Sequence, residues 1–192
     1  MASKKVEEKN SVMEEKIGTK EVKKEVKKSK AEIIRNLKRE ASKIDVEVMN
    51  LTNGSFIYEN GYDSIRMNEP GETVIIGLDT LLKMKNSPCV RRLFISVIDV
   101  YNPEYELKDI IDMLDLTKIY GDKILTLDYL DEILEDSSID EFETILNTVS
   151  PELAGRLCQR AIYIANSNRF DSMGKRSIIE REVNNAFIFK SN

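Results

Sequence analysis

A chain of 192 residues and 22.0 kDa, 41% hydrophobic and 33% charged, holds apolar material for a compact core under a heavily charged surface, which excludes a wholly disordered protein. It contains no histidine, so Ser-His and Cys-His nucleophilic sites and most zinc or non-haem iron sites are excluded, leaving carboxylate, lysine, tyrosine and cysteine chemistry. The net charge of -5 conceals an uneven layout: residues 99–149 carry 15 acidic and 3 basic groups, a density that repels phosphates and disfavours a DNA-coating role.

Residues 1–28 are dominated by Lys and Glu with isolated apolar residues, too little to offset chain entropy, and are expected to be a disordered charged tail. Glu21 with Lys24, and Glu25 with Lys28, fall at helical spacing, so the tail could become helical when docked. It has no apolar stretch of signal-peptide length, and no later window approaches the ~20 apolar residues of a membrane span. Synthesis in the cytoplasm and no membrane partner are expected.

Ser29-Lys30-Ala31-Glu32 matches a capping box and opens an amphipathic helix over about 30–43, within a unit spanning 29–44. Ile33, Ile34, Leu37, Ala41 and Ile44 share its apolar face. That face needs a covering surface, either the chain's own core or another subunit, and Ile33, Ile34 and Leu37 are candidate protein-contact residues.

Residues 45–102 form a β-rich unit. Val46 and Val48 alternate with polar residues, Asn53-Gly54 offers a turn able to take positive φ, and Phe56 and Tyr58 begin a return strand. Asn60-Gly61 and Pro70-Gly71 mark further turns around a short strand at Ile65 and Met67 and a strand over 73–78. Together these predict a small antiparallel β meander. Asp79 is then a candidate cap for a short helix through Leu81, Leu82 and Met84, ending before Pro88, and residues 93–100 suit a further strand.

Residues 103–192 read as a helical bundle, giving an α+β fold. Thr126, Ser137 or Ser138, Ser150 and Asp171 are candidate N-caps and Pro151 suits a first helical position, so helices are predicted over 104–115, 127–136, 139–148, 151–166 and 173–186. Leu153, Ala154, Leu157, Cys158, Ala161 and Ile162 form the clearest core stripe. Cys89 and Cys158 belong to no CxxC pair and read as buried, reduced thiols.

Asp112 with Asp115, and Asp128 with Asp131 and Glu132, share helix faces in the way a metal site or an acid/base pair would need, although such runs are ordinarily solvated surface. No calcium-binding loop pattern and no phosphate-cradling glycine loop is present, so no cofactor, metal or small-molecule substrate is expected, and no enzymatic activity. Arg156, Arg160, Arg169, Lys175, Arg176 and Arg181 crowd the C-terminal end. Arg156, Arg160, Arg169, Lys175 and Arg176 are candidate protein-contact residues, with partners in the acidic segment of the same chain or of a neighbouring copy. The alternative is a basic surface facing phosphates.

Val46-x-Val48-x-Asn50-Leu51, Gly54, Tyr58, Arg66, Pro70-Gly71-Glu72, Ile76, Asp79 and Leu82, followed by an apolar strand, resemble a family of small virion structural proteins, head-associated or auxiliary, of tailed bacteriophages and prophages. The later Ser138-Ile139-Asp140-Glu141, Leu146 and Asp171 through Lys175 resemble it too. The likeness covers most of residues 45–186 and lies in turn and core positions. The chain departs from the family in its Lys-Glu tail and in having Asn86-Ser87-Pro88-Cys89 where the family carries a Pro-Gly-Gly stretch. The resemblance implies a non-catalytic, virion-located assembly protein that binds capsid or connector proteins, and the opposed charges of residues 99–149 and 150–192 leave further copies of itself open as partners. A phage-encoded regulator binding host protein or nucleic acid through its basic C-terminal helices is the alternative function.

Overall fold

The computed structural model describes residues 29–166, 170, 172–184 and 188–189. The segment 1–28, expected as a charged tail, lies outside the described residues, as do Arg169 and Asp171.

Ser29 caps helix α1 (Lys30–Glu40), its hydroxyl accepting the Glu32 N–H at 3.3 Å, and a 3₁₀ turn, Ala41–Lys43, continues it. Leu37, Ala41 and Ile44 are buried, and Ile33 and Ile34 are half-buried against the core. The helix lies on α4 (Leu107–Met113), where Lys30 reaches Asp112 at 2.9 Å. The apolar face is thus covered by the chain itself. Leu37, expected as a partner contact, is a core residue, and Ile33 and Ile34 offer only part of their surface.

Strand β1 (Asp45–Asn50) lies between β4 (Thr73–Gly77) and β5 (Ile95–Tyr101) in an antiparallel three-stranded sheet, with Val46 opposite both Ile76 and Val100. A bulge between Glu47 and Val48 shifts the register to β5. β2 (Phe56–Asn60) and β3 (Asp63–Met67) make a separate hairpin whose turn uses Gly61 at φ +64°. The strands are antiparallel as expected, but they do not follow one another as a meander, because β1 and β2 are not paired.

Asn50 supplies the reason. Its buried amide donates to the carbonyls of Gly54 (2.7 Å) and Glu69 (2.8 Å), while its Oδ1 accepts from the Thr52 N–H (2.9 Å) and hydroxyl (2.7 Å). The chain after β1 is thereby curled onto itself instead of returning beside the strand, and Gly54 takes no positive φ. Gly71 does, at φ +79°, donating its N–H to the Asn50 carbonyl at 2.9 Å, so the turn before β4 returns that strand to β1. A fully satisfied buried amide specifies this path, since each carbonyl left unpaired in the interior would cost about 1–3 kcal/mol.

Helix α2 (Leu78–Met84) starts from Gly77 as N-cap, with Asp79 inside its first turn rather than capping it. A four-residue helix α3 (Pro88–Arg91), which the sequence does not predict, precedes β5, and Leu93 at φ +53° turns the chain between them. The helix expected over 104–115 is shorter, because Asp115 at φ +59° ends that stretch and α5 (Thr117–Tyr120) follows. α6 (Leu127–Asp136), α7 (Ile139–Thr148) and α8 (Pro151–Asn166) coincide with the predicted spans, with Thr126 and Ser138 as caps and a reciprocal Ser138–Glu141 capping box. α9 (Met173–Glu182) is capped by Ser172. The architecture is therefore α+β, a small antiparallel sheet region followed by C-terminal helices.

One cluster of buried side chains runs from Leu37 to Ile179 and joins the sheet to the bundle. Both cysteines are free, Cys158 buried and Cys89 only half-buried, so Cys89 departs from the expectation of two buried thiols. Burial pushes the Cys158 thiol up to about 11. Since the thiolate is the reacting species, iodoacetamide at pH 8 should modify Cys89 in the native protein and leave Cys158 intact until denaturant is added. Mass spectrometry of both tryptic peptides checks this; equal labelling would contradict the packing of α8.

Candidate partner-binding cleft

The C-terminal cations differ in their surroundings. Arg160, 6% exposed, forks onto Asp131 of α6, with Nε to Oδ1 at 2.6 Å and Nη2 to Oδ2 at 2.7 Å. This bidentate bond holds the Arg160 guanidinium above its ordinary range. Lys175, 4% exposed, donates to the Leu134 carbonyl at 2.6 Å and lies over the Phe142 ring, closing the last turn of α6. Burial pulls its ammonium down, against the attraction of Asp136 and Glu141. Arg176 donates to the Phe170 carbonyl and stacks on Phe189. Of the expected contact residues, these three are engaged inside the fold, and Arg160 does pair with the acidic segment.

Arg156 is different. It is 5% exposed yet has no carboxylate partner among the described residues: Nη2 donates to the Arg92 carbonyl (2.9 Å), Nη1 to Gln159 Oε1 (3.0 Å), and the guanidinium lies 5.0 Å above the centre of the Phe94 ring. Burial alone pulls it down to about 10, so it remains cationic at neutral pH. Its Nε is buried without a hydrogen-bond partner.

Two adjoining cavities of about 460 and 510 Å³ share Phe94, Arg156 and Gln159 and form a cleft between α8, the end of α3 and the β1–β2 loop. Arg91, Arg92 and Glu152 line the first with Arg156, so its lining holds three arginines and one acidic residue. Neither Arg91 nor Arg92 makes an ion pair within bonding distance among the described residues, although Arg91 is close enough to Asp115 to help hold its carboxyl low. The second cavity adds Asn53 and Ile162. Asn53 donates its amide to the Gln159 carbonyl at 2.9 Å, which fixes its orientation and leaves Oδ1 buried without a donor.

Gly155 lines the same cleft in the interior of α8. A Cβ added there would meet nothing within 4 Å, so packing does not demand glycine. Alanine in a helix interior is more stable by about 0.5–1 kcal/mol, and that stability is forgone at a position where the methyl group would project into the cleft.

Asp112 and Asp115 line one cavity of about 400 Å³ with Lys30 and Lys118, but each carboxylate already has its own partner. Asp112 accepts from Thr117 and Lys30, Asp115 pairs with Lys85 at 2.5 Å, and Asp131 is held by Arg160. Among the described residues no group of three or more acidic or cysteine side chains is placed to hold a metal ion, and no helix is long and apolar enough to cross a membrane.

Of the cleft, only Arg156 is a candidate from the sequence; Arg91, Arg92, Phe94, Gln159, Asn53 and Gly155 are not. A signal for part of it exists in residues 80–98, which hold Lys83, Lys85, Arg91 and Arg92 and no acidic residue. Comparison with protein-family models, with curated proteins and with solved structures finds no match.

Proposed function

We propose that this chain is a non-catalytic assembly protein of a tailed phage particle that binds other virion proteins, capsid or connector. One observation carries the choice of a protein partner over nucleic acid: Arg160, Lys175 and Arg176, the cations that would have formed a phosphate-facing stripe on the C-terminal helices, are spent on Asp131 and on backbone carbonyls. Phosphate binding needs accessible cations in number, because affinity and its salt dependence scale with the phosphates neutralised. The virion location rests on the family resemblance of residues 45–186, whose shared positions Val46, Val48, Leu51 and Ile76 are core residues and whose Asn50 and Gly71 shape turns. Quantitative mass spectrometry of purified particles tests it, with many copies per particle expected. A chain abundant in infected cells and absent from particles, together with steeply salt-dependent duplex binding, would replace this reading by the regulator.

A further inference from the structure

We infer that the cleft between α8, α3 and the β1–β2 loop is a docking site for an acidic peptide segment of a partner protein, whose carboxylate sits among Arg91, Arg92 and Arg156. The inference rests on the protein-assembly reading and names the chemistry of the partner.

Three observations support it independently. Three arginines line the cleft against the single carboxylate-bearing residue Glu152, and among the described residues the buried Arg156 has no carboxylate bonded to it, so an incoming carboxylate would supply one. Arg156 Nε lacks an acceptor and Asn53 Oδ1 lacks a donor; Arg156 lines both cavities and Asn53 the second, and both atoms lie just beneath the surface of the cleft. A small shift of the side chains above them would let a peptide group, which brings a C=O and an N–H together, satisfy both, whereas a phosphodiester brings acceptors only. Gly155 keeps the floor free of a side chain where no neighbour requires it, and Phe94 and Ile162 give apolar surface beside the charged groups. Backbone satisfaction, a charged anchor and an apolar wall are the elements by which extended peptides are held.

The test uses the full chain and a short end-capped Asp/Glu/Gly peptide carrying a fluorescent label, read by anisotropy, with a Lys/Gly peptide and a single-stranded oligonucleotide as competitors. The acidic peptide is expected to bind saturably and to be displaced by unlabelled acidic peptide but by neither competitor. The double variant Arg91→Glu, Arg92→Glu changes two groups at the surface of the cleft and is expected to weaken binding by about tenfold or more. Gly155→Ala, which should fold at least as well as the parent, is expected to weaken it several-fold by narrowing the floor; Arg156 is left intact because its burial makes its replacement a folding risk. Binding equally strong in both variants, no saturable binding, or stronger binding of the oligonucleotide would each overturn the assignment. Particle mass spectrometry is separate, so an empty cleft in a chain abundant in virions would sink this inference alone.

Discussion

Leu157→Ala is expected to lower the stability of the protein by about 2–5 kcal/mol, read as a fall in the urea midpoint with the slope unchanged. Leu157 is fully buried, at the middle of the α8 face that also buries Leu153, Ala161 and Ile164. Deleting its branched end loses the transfer free energy of the removed carbons and leaves a cavity that an anchored helix cannot readily collapse around: α6 packs on α8 with Arg160 held by Asp131, and Arg156 of α8 is tied to the Arg92 carbonyl. Total stabilities of single domains run to about 5–15 kcal/mol, so the loss is a large fraction of the whole. Gly155→Ala, two residues away on the open side, should move the midpoint slightly upward. Opposite signs on one helix follow directly from which way each position faces; a small effect for Leu157→Ala would mean that the stripe is covered by something other than this chain.

That stripe was readable because helical periodicity is a local property. Leu153, Leu157 and Ala161 recur at the spacing of one face, and Thr126, Ser138 and Pro151 mark starts through chemistry confined to three or four residues. Strand identity was readable for the same reason, since Val46 and Val48 alternate inward. Strand pairing was not. Whether β1 meets β2 or β4 depends on Asn50 bonding to Glu69, 19 residues away, and no local pattern encodes that. The cleft was hidden by the same kind of separation, because Arg92 and Arg156 are 64 positions apart and meet only when α8 lies against the end of α3. An arginine that will be buried beside another arginine's carbonyl looks in sequence like one that will be solvated.

Charge reads differently once the fold is known. The acidic segment and the basic end do meet, at Asp131 with Arg160 and at Glu143 with Arg181, so the pairing occurs within one copy. The two contacts are unequal. Arg181 and Glu143 are largely exposed, so water and salt screen the pair and it contributes little to stability. Many of the remaining carboxylates of α6 and α7 line a shallow groove of about 560 Å³ with Glu132, Asp136 and Asp140 at its rim and Ile133 and Ile145 beneath. This face adds to the repulsion of phosphates, in agreement with the assembly reading.

Asp131→Ala is expected to cost about 3–5 kcal/mol, more than any exposed charge on the protein, because it removes one side of a buried pair and strands the other. Arg160, 6% exposed with Asp131 in place, would keep the Tyr163 ring 5.3 Å away and the attraction of Glu135, but no carboxylate in the fork that Asp131 fills. The guanidinium cannot shed its proton near neutral pH, so the cost falls on the fold. Replacing both partners, Asp131→Leu with Arg160→Met, removes the charges together and is expected to recover most of the loss, since a well-packed apolar pair avoids both desolvation penalties. Urea unfolding of Asp131→Leu, Arg160→Met and the double, each against the parent, gives the coupling energy. The same three proteins serve a second measurement: duplex binding at two salt concentrations should be weak and unchanged across them, because Arg160 faces Asp131 rather than solvent. Loss of a strong, salt-dependent DNA affinity in the Arg160→Met single, with its stability near that of the parent, would show that the arginine works on phosphates and that the ion pair is not its role.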